Sequence, residues 1–376
     1  MSLSIAEGLK NLPAELTEQI KERIEVYQLS FADNTNRARA ADYKVFSAWC
    51  EKHLPEGTNP IPCEPDTIEK FLWSMAEKPK VDKKTGEPIY KKVKGSDTPI
   101  QVMEPFKSTN TLSRYVASLK YFHDVAIESA RDVTKNYQFG RELQNPAQTK
   151  RVTMALKAIR KKYLGKNRQR QAAPMKYDML ENIVARLDDS LRDTLYKALI
   201  SFAFDSMMRC SELVRVELSD IHFDQESGNA EVFVPFHKAD QEGEGSYRFL
   251  SQRTVDYLHE WLDAAGIDSG LVFRSVDAKN HILTHMHKDR VARIFKNLAK
   301  RSGYLFKDIS AHSTRVGAAQ ELLLDGATLP QLMVVGDWKS PAMPVRYAKR
   351  IDAKKGAMAE YHKHRNERER GKGSPD

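Results

Sequence analysis

"ISAHSTRVGAAQEL", residues 309–322, sets a histidine and an arginine three positions apart at the opening of a helix that is otherwise apolar and rich in alanine. That spacing puts His312 and Arg315 on one face, a helical turn apart. A solvated helix N-terminus would accept both without any special role. A bound anion would also explain them, because the first N–H groups of a helix lack intrahelical partners and its dipole favours negative charge there. The rest of the chain decides between the two.

Working outward, a chain of 376 residues with 41% apolar content is long enough for two domains, each with its own core. No stretch approaches the roughly 20 apolar residues of a bilayer span. The start "MSLSIAEGLKNLPAEL" has neither the charged opening nor the apolar run of a secretory signal. A soluble, cytoplasmic protein with no membrane partner is expected. Cys50, Cys63 and Cys210 are scattered without a CxxC pair, which argues against a disulfide framework or a thiolate zinc site. Net charge is +9 with a pI near 9.2, and the charge is concentrated. "KRVTMALKAIRKKYLGKNRQR", residues 150–170, holds Lys150, Arg151, Lys157, Arg160, Lys161, Lys162, Lys166, Arg168 and Arg170 and no acid. A solvated helix face would mix in glutamates, so this composition points to phosphate, and to nucleic acid as partner.

Upstream of that run the apolar spacing is helical. Leu16, Ile20, Ile24 and Tyr27 form one stripe, and Tyr43, Phe46, Trp49 and Cys50 another. Ile68, Leu72 and Met75 make a third, and Leu112, Tyr115, Leu119 and Phe122 a fourth. These stripes predict a helical-bundle domain over residues 1–165, interrupted by a Lys/Pro-rich insertion at 79–107 that suits a β-hairpin around "TGEP". Residues 166–174 read as a basic linker ending in Pro174, and residues 175–365 as a mixed domain. There "DTLYKALISFAFDSMMRCSELVRV" is helical, "NAEVFVPF" and "GSYRFLS" are strands around a loop, and "LVFRSV" is a short strand between helices. The polar residues 366–376 are expected to be disordered. The expected fold is mainly α: a helical bundle plus an α+β domain with a small antiparallel sheet, joined by a basic strap that would suit a C-shaped clamp closing around a DNA duplex.

Several chemistries fall away. His281, His285 and His287 have metal-like spacing, but no carboxylate or cysteine sits at a suggestive interval, so no metal is expected. "QEGEGSYR" lacks the lysine and following helix of a phosphate loop, and no Gly-x-Ser-x-Gly elbow is present. What remains is an ordered set: Arg209 and Glu212 in "MMRCSEL", Lys238 after "VFVPFH", His312 and Arg315, Trp338 in "GDW", and Tyr347 in "VRYAKR". Singly, each also reads as an ion pair, a turn lysine or a packed aromatic.

Their joint order resembles the tyrosine recombinase family, most closely the Cre-like recombinases of phages and plasmids. "HSTRVGAAQEL", "LPQLMVVGDWKSPAMPVRYAKR" and "NTNRARAADYKVFSAWC" are similar to the family's corresponding segments, over roughly residues 30–362 without the insertion. The resemblance implies a site-specific recombinase that cuts and rejoins duplex DNA at inverted-repeat sites without metal, ATP or other cofactor. Arg209 and Arg315 would fork onto the scissile phosphate, with His312 and the Trp338 indole donating beside them. Tyr347 would attack to give a 3′-phosphotyrosine, Lys238 would protonate the leaving 5′-oxygen, and Glu212 would orient its partners. A Holliday junction held by a homotetramer is implied, with the helix in "DAKKGAMAEYH", carrying Ala357, Met358 and Tyr361, exchanged between subunits. Arg37 with Arg39 beside it, and Arg114, would face DNA from the bundle, and Lys288 and Arg290 would open a major-groove helix. Two rivals stand beside this reading. One is a type IB topoisomerase or telomere resolvase with a similar catalytic set, and the other is a DNA-binding module that has lost activity.

Overall fold

The computed structural model describes residues 14–56, 58–82, 84–91, 99–133, 144–164, 171–235, 245–305, 308–349, 351 and 356–371. The chain divides into two compact units, Met1–Arg170 and Gln171–Asp376. Most of it is helical, with small antiparallel sheets, as the sequence led one to expect.

The first unit is built from helices α1 (Ala14–Leu29), α2 (Asp33–His53), α3 (Pro65–Ala76), α4 (Thr109–Val133) and α5 (Lys150–Lys162). Pro65 opens α3 at a position where its missing N–H costs nothing. The apolar stripes meet as one core: Ile20, Ile24, Tyr43, Phe46, Ile68, Leu72, Leu112, Leu119 and Phe122 are all buried. Phe46 packs edge-on against Phe71 and Tyr43 at a tilt against Phe122, each with ring centroids 5.0 Å apart. Between α3 and α4 the insertion forms short strands β1 (Glu77–Pro79), β2 (Tyr90–Lys91), β3 (Ile100–Gln101) and β4 (Met103–Pro105). β1 pairs with β4 and β2 with β3, both antiparallel. The hairpin around "TGEP" is present. The Asp82 carboxylate accepts from the backbone N–H groups of Lys84 and Thr85, and Gly86 takes the left-handed φ of +76° that closes the turn.

The second unit contains α6 (Tyr177–Val184), α7 (Leu191–Asp205), α8 (Cys210–Leu213), strands β5 (Ile221–Phe223), β6 (Ala230–Val234) and β7 (Ser246–Leu250), then α9 (Gln252–Ala265), α10 (Lys288–Arg301), α11 (Ser313–Leu324), α12 (Leu329–Gly336), α13 (Ala342–Ala348) and α14 (Ala357–Gly371). The strands form an antiparallel sheet in the order β5-β6-β7. α7 runs through the core, and its Asp205 carboxylate anchors the start of α9 by accepting from Ser251 N–H and the Ser251 and Thr254 hydroxyls. α11, the helix of the opening motif, is buried along residues 313–320. It fits there only because residue 317 is glycine: a Cβ would stand 1.7 Å from the Met175 carbonyl oxygen.

Two expectations need correction. "LVFRSV" forms no strand; it makes isolated bridges from Leu271 to Glu217 and from Val276 to Ile282, because Val272, Phe273 and Val276 are buried as irregular chain. Residues 366–371, expected to be disordered, continue α14, and the rest of that tail lies outside the described residues. The helical part of the tail is rich in Glu and Arg, which favour helix, and His364 pairs with Glu360 and Glu367 at helical spacing.

Candidate active site

The expected helix through "SMMRCSEL" breaks where Met207 takes a left-handed φ of +50°, ending α7 and reopening the chain as α8. Arg209 becomes the N-cap of α8. Its backbone N–H donates to Glu212 Oε2 at 2.9 Å and its Nη1 to Glu212 Oε1 at 2.6 Å. Glu212 thus caps the helix and holds the guanidinium with one carboxylate.

Arg315 is buried, 3% exposed, and points from α11 toward two other segments. Its Nη1 donates to the carbonyl of Met207 and its Nη2 to that of Gly336. Each carbonyl adjoins a non-glycine residue with left-handed backbone, Met207 itself and Asp337 with φ +51°. Such conformations are unfavourable for side-chain-bearing residues, and here both turn a main-chain oxygen toward one arginine. Two of the five guanidinium donors are thereby fixed, leaving the others for an incoming acceptor. Burial pushes this guanidinium down to about 10, helped by the positive charge of Arg209 and opposed by Tyr347 and Glu212.

Trp338 bridges the set. The Arg315 guanidinium lies 4.6 Å from its ring centroid, and the Tyr347 ring meets it edge-on at 5.6 Å. Gly336 is required for this seat, since a Cβ there would lie 2.2 Å from the indole. Tyr347 sits on α13, buried, with its carbonyl accepting from Gln320 Nε2 at 3.1 Å. Burial raises its phenol above the ordinary tyrosine value, while Arg315, Arg346 and Arg209 pull the other way. His312 is solvent-exposed at the mouth of α11, and desolvation by its surroundings, then the charges of Arg315 and Arg209, push its imidazole down. Lys238 lies between β6 and β7 in the sequence, outside the described residues, and Lys166 lies outside them as well.

Two charged residues at this site were not singled out from the sequence. Arg248 on β7 is buried, with Nη2 3.8 Å from Asp337 Oδ2, and that oxygen lies 3.6 Å from Arg209 Nη1. A signal existed: in "SYRFL" the arginine is in phase with the buried Leu250, while the aromatic Tyr247 and Phe249 face outward.

The expected DNA-facing residues scatter in their surroundings. Arg37, Lys150 and Lys161 are exposed. Arg39 is half-buried between the rings of Phe31 and Tyr121, 3.9 and 3.8 Å from their centroids. Arg114 pairs at 2.9 Å with the buried Asp42. Arg151 reaches Asp66 at 2.5 Å and also Glu69, Lys162 reaches Glu77 at 2.5 Å, and Arg160 donates to the Ser113 hydroxyl. The acids missing from residues 150–170 are therefore supplied by α3 and β1. In the second unit Lys288 is half-buried beside Cys210, and Arg290 donates to the Val276 carbonyl at 2.5 Å, which ties it to a loop. His281 pairs with Asp277 and His287 with Asp289. Among the described residues no cluster of three or more His, Cys, Asp or Glu has metal-binding geometry, and no helix is long and apolar enough to cross a membrane.

Residues 174–354 match the model of the phage integrase family. An integrase/recombinase xerD homolog of Selenomonas ruminantium is 27% identical over 90% of this chain and 88% of its own length. Recombinase cre of Escherichia phage P1 is 19% identical over 95% of this chain and 96% of its own. Among solved structures, the Tn1549 transposon integrase in complex with transposon right end DNA shares the fold, with TM-score 0.57, 13% identity, and 92% and 98% of the two chains covered.

Proposed function

The chain belongs to the phage integrase family of tyrosine recombinases, whose general activity is site-specific DNA recombination, and from that premise we propose that it cleaves and rejoins duplex DNA through a 3′-phosphotyrosine. The observation that carries the reading is the convergence on Trp338 of the Arg315 guanidinium from one side and the Tyr347 ring from another, with Arg209 held nearby by Glu212. The recombinase relative that is solved on transposon DNA supports a duplex as the substrate.

In this reading the scissile phosphate sits against Arg209 and Arg315, which offset the charge that develops on its non-bridging oxygens. Tyr347 Oη forms a bond to phosphorus as the bond to the 5′-oxygen breaks. The phenol proton passes to His312, whose lowered pKa keeps it neutral and able to accept at pH 7. Lys238 supplies the proton that the departing 5′-oxygen takes up. The phosphotyrosine conserves the energy of the broken linkage, so a second 5′-hydroxyl reverses the step and exchanges strands. Two such exchanges proceed through a Holliday junction in a tetramer, with α14 passed between subunits. Inverted-repeat sites match such an assembly, because paired subunits related by a twofold axis require paired half-sites.

The test is a denaturing-gel assay for covalent protein–DNA adducts, with fragments of the replicon that encodes the protein. Wild type is expected to form an adduct on one fragment and Tyr347→Phe on none. An adduct that persists in Tyr347→Phe would sink the assignment of the nucleophile. Relaxed plasmid without recombinant products would favour the topoisomerase rival.

A further inference from the structure

Arg209 Nη1 is held by two carboxylates, Glu212 Oε1 at 2.6 Å and Asp337 Oδ2 at 3.6 Å. Glu212 belongs to the same helical turn as Arg209, but Asp337 arrives from the end of α12, in a left-handed backbone conformation that glycine adopts with less strain. A carboxylate so close to a phosphate-binding arginine competes with the phosphate for it. The same oxygen, however, faces a second cation. Arg248 Nη2 lies 3.8 Å from it, and Arg248 Nη1 donates to the Tyr247 and Val334 carbonyls, at 3.3 and 3.4 Å. Arg248 thus joins β7, the strand that follows the Lys238 loop, to the turn that carries Asp337 and Trp338. Burial lowers the pKa of its guanidinium, Asp337 opposes that, and nothing in the reading above uses it.

We propose that Asp337 and Arg248 are positioning residues for strand cleavage: Asp337 steadies Arg209 from a second side, and Arg248 shares the Asp337 carboxylate so that it does not close on Arg209 and displace the phosphate. The pair couples three segments, α8, β7 and the α12 turn, at the edge of the phosphate site. This rests on the reading of that site as a phosphodiester-cleaving centre.

The experiment uses the full chain and the DNA fragment that forms the wild-type adduct, with affinity measured by gel shift and cleavage by the rate of adduct formation at saturating protein. Arg248→Met is expected to bind DNA as wild type does and to slow cleavage on the order of tenfold or more, the scale on which partners of catalytic groups act. Adding Asp337→Asn removes the competing charge and should restore the rate to within a few-fold of wild type, a rescue that a merely structural role for Arg248 would not give. Wild-type cleavage by Arg248→Met, or a double variant as slow as the single one with an unchanged melting temperature, overturns the proposal. Should Arg248→Met fail to fold, Arg248→Lys replaces it. Lysine keeps the charge that faces Asp337 and should retain most of the rate, and a loss of about tenfold there also overturns the proposal. Absence of any wild-type adduct would instead sink the functional reading itself.

Discussion

In the N-terminal unit Arg151 and Lys162 face Asp66, Glu69 and Glu77, whereas in the second unit Arg209 and Arg248 share the Asp337 carboxylate, Glu212 holds Arg209 as well, and Arg315 donates to two main-chain carbonyls. The first set lies on exposed surface, where ion pairs contribute little and an arriving phosphate exchanges with them readily. The second is largely withdrawn from water, and Arg315 is oriented by carbonyls that cannot be titrated away. Three guanidiniums against two carboxylates leave an excess of positive charge where the effective dielectric is low, so that charge acts strongly on a single bound anion. A basic residue is therefore not read by its type or its neighbours in sequence alone. What faces it in space decides whether it packs, neutralises or binds.

The contrast breaks most visibly if Arg315 proves dispensable. Arg315→Met is expected to slow adduct formation on the order of 10²–10³-fold, the loss seen when one preorganised donor to a developing oxyanion is removed. A decrease below about tenfold in single-turnover cleavage would place the site's charge elsewhere.

A second contrast concerns titration. The second unit buries guanidiniums that stay charged, while the N-terminal unit buries His123, with Nδ1 against the Leu119 carbonyl at 2.8 Å and Nε2 taking the Cys63 N–H at 3.2 Å. Burial holds this imidazole at about 4 in the native state, against an ordinary value near about 6.5 in the unfolded chain. As pH falls below about 6.5 the unfolded chain binds a proton that the folded one excludes, so stability present above that pH is lost on the way to about pH 4. The loss should be on the order of 3 kcal/mol, read from urea unfolding at stepped pH, and His123→Gln should flatten it. Parallel curves for the two proteins would show that His123 is not the titrating group.

The smallest effect sharpens the surface side of the comparison. Lys150→Ala and Lys161→Ala should each weaken DNA affinity irrespective of sequence and reduce the salt slope of binding by about 1. Arg151→Ala, already shared between Asp66 and Glu69, should change the slope less, and equal slopes for all three variants would mean that DNA displaces those acids completely.

By itself the sequence determined the helical stripes of the first unit, the strands that carry the Lys238 loop, and the ordered set from Arg209 to Tyr347. These signals are local: apolar periodicity and residue spacing follow from the pitch of a helix and the alternation of a strand. The structure alone decided which charges meet. Asp66, Glu69 and Glu77 neutralise residues some 80 positions away, Arg39 slips between two rings, and α14 runs on to Gly371, into a tail whose composition suggested disorder. Arg248 and Asp337 join Arg209 only because β7 and the α12 turn pack side by side. Such long-range pairings depend on tertiary packing, and the spacing of residues along one segment carries no record of the segment that will face it.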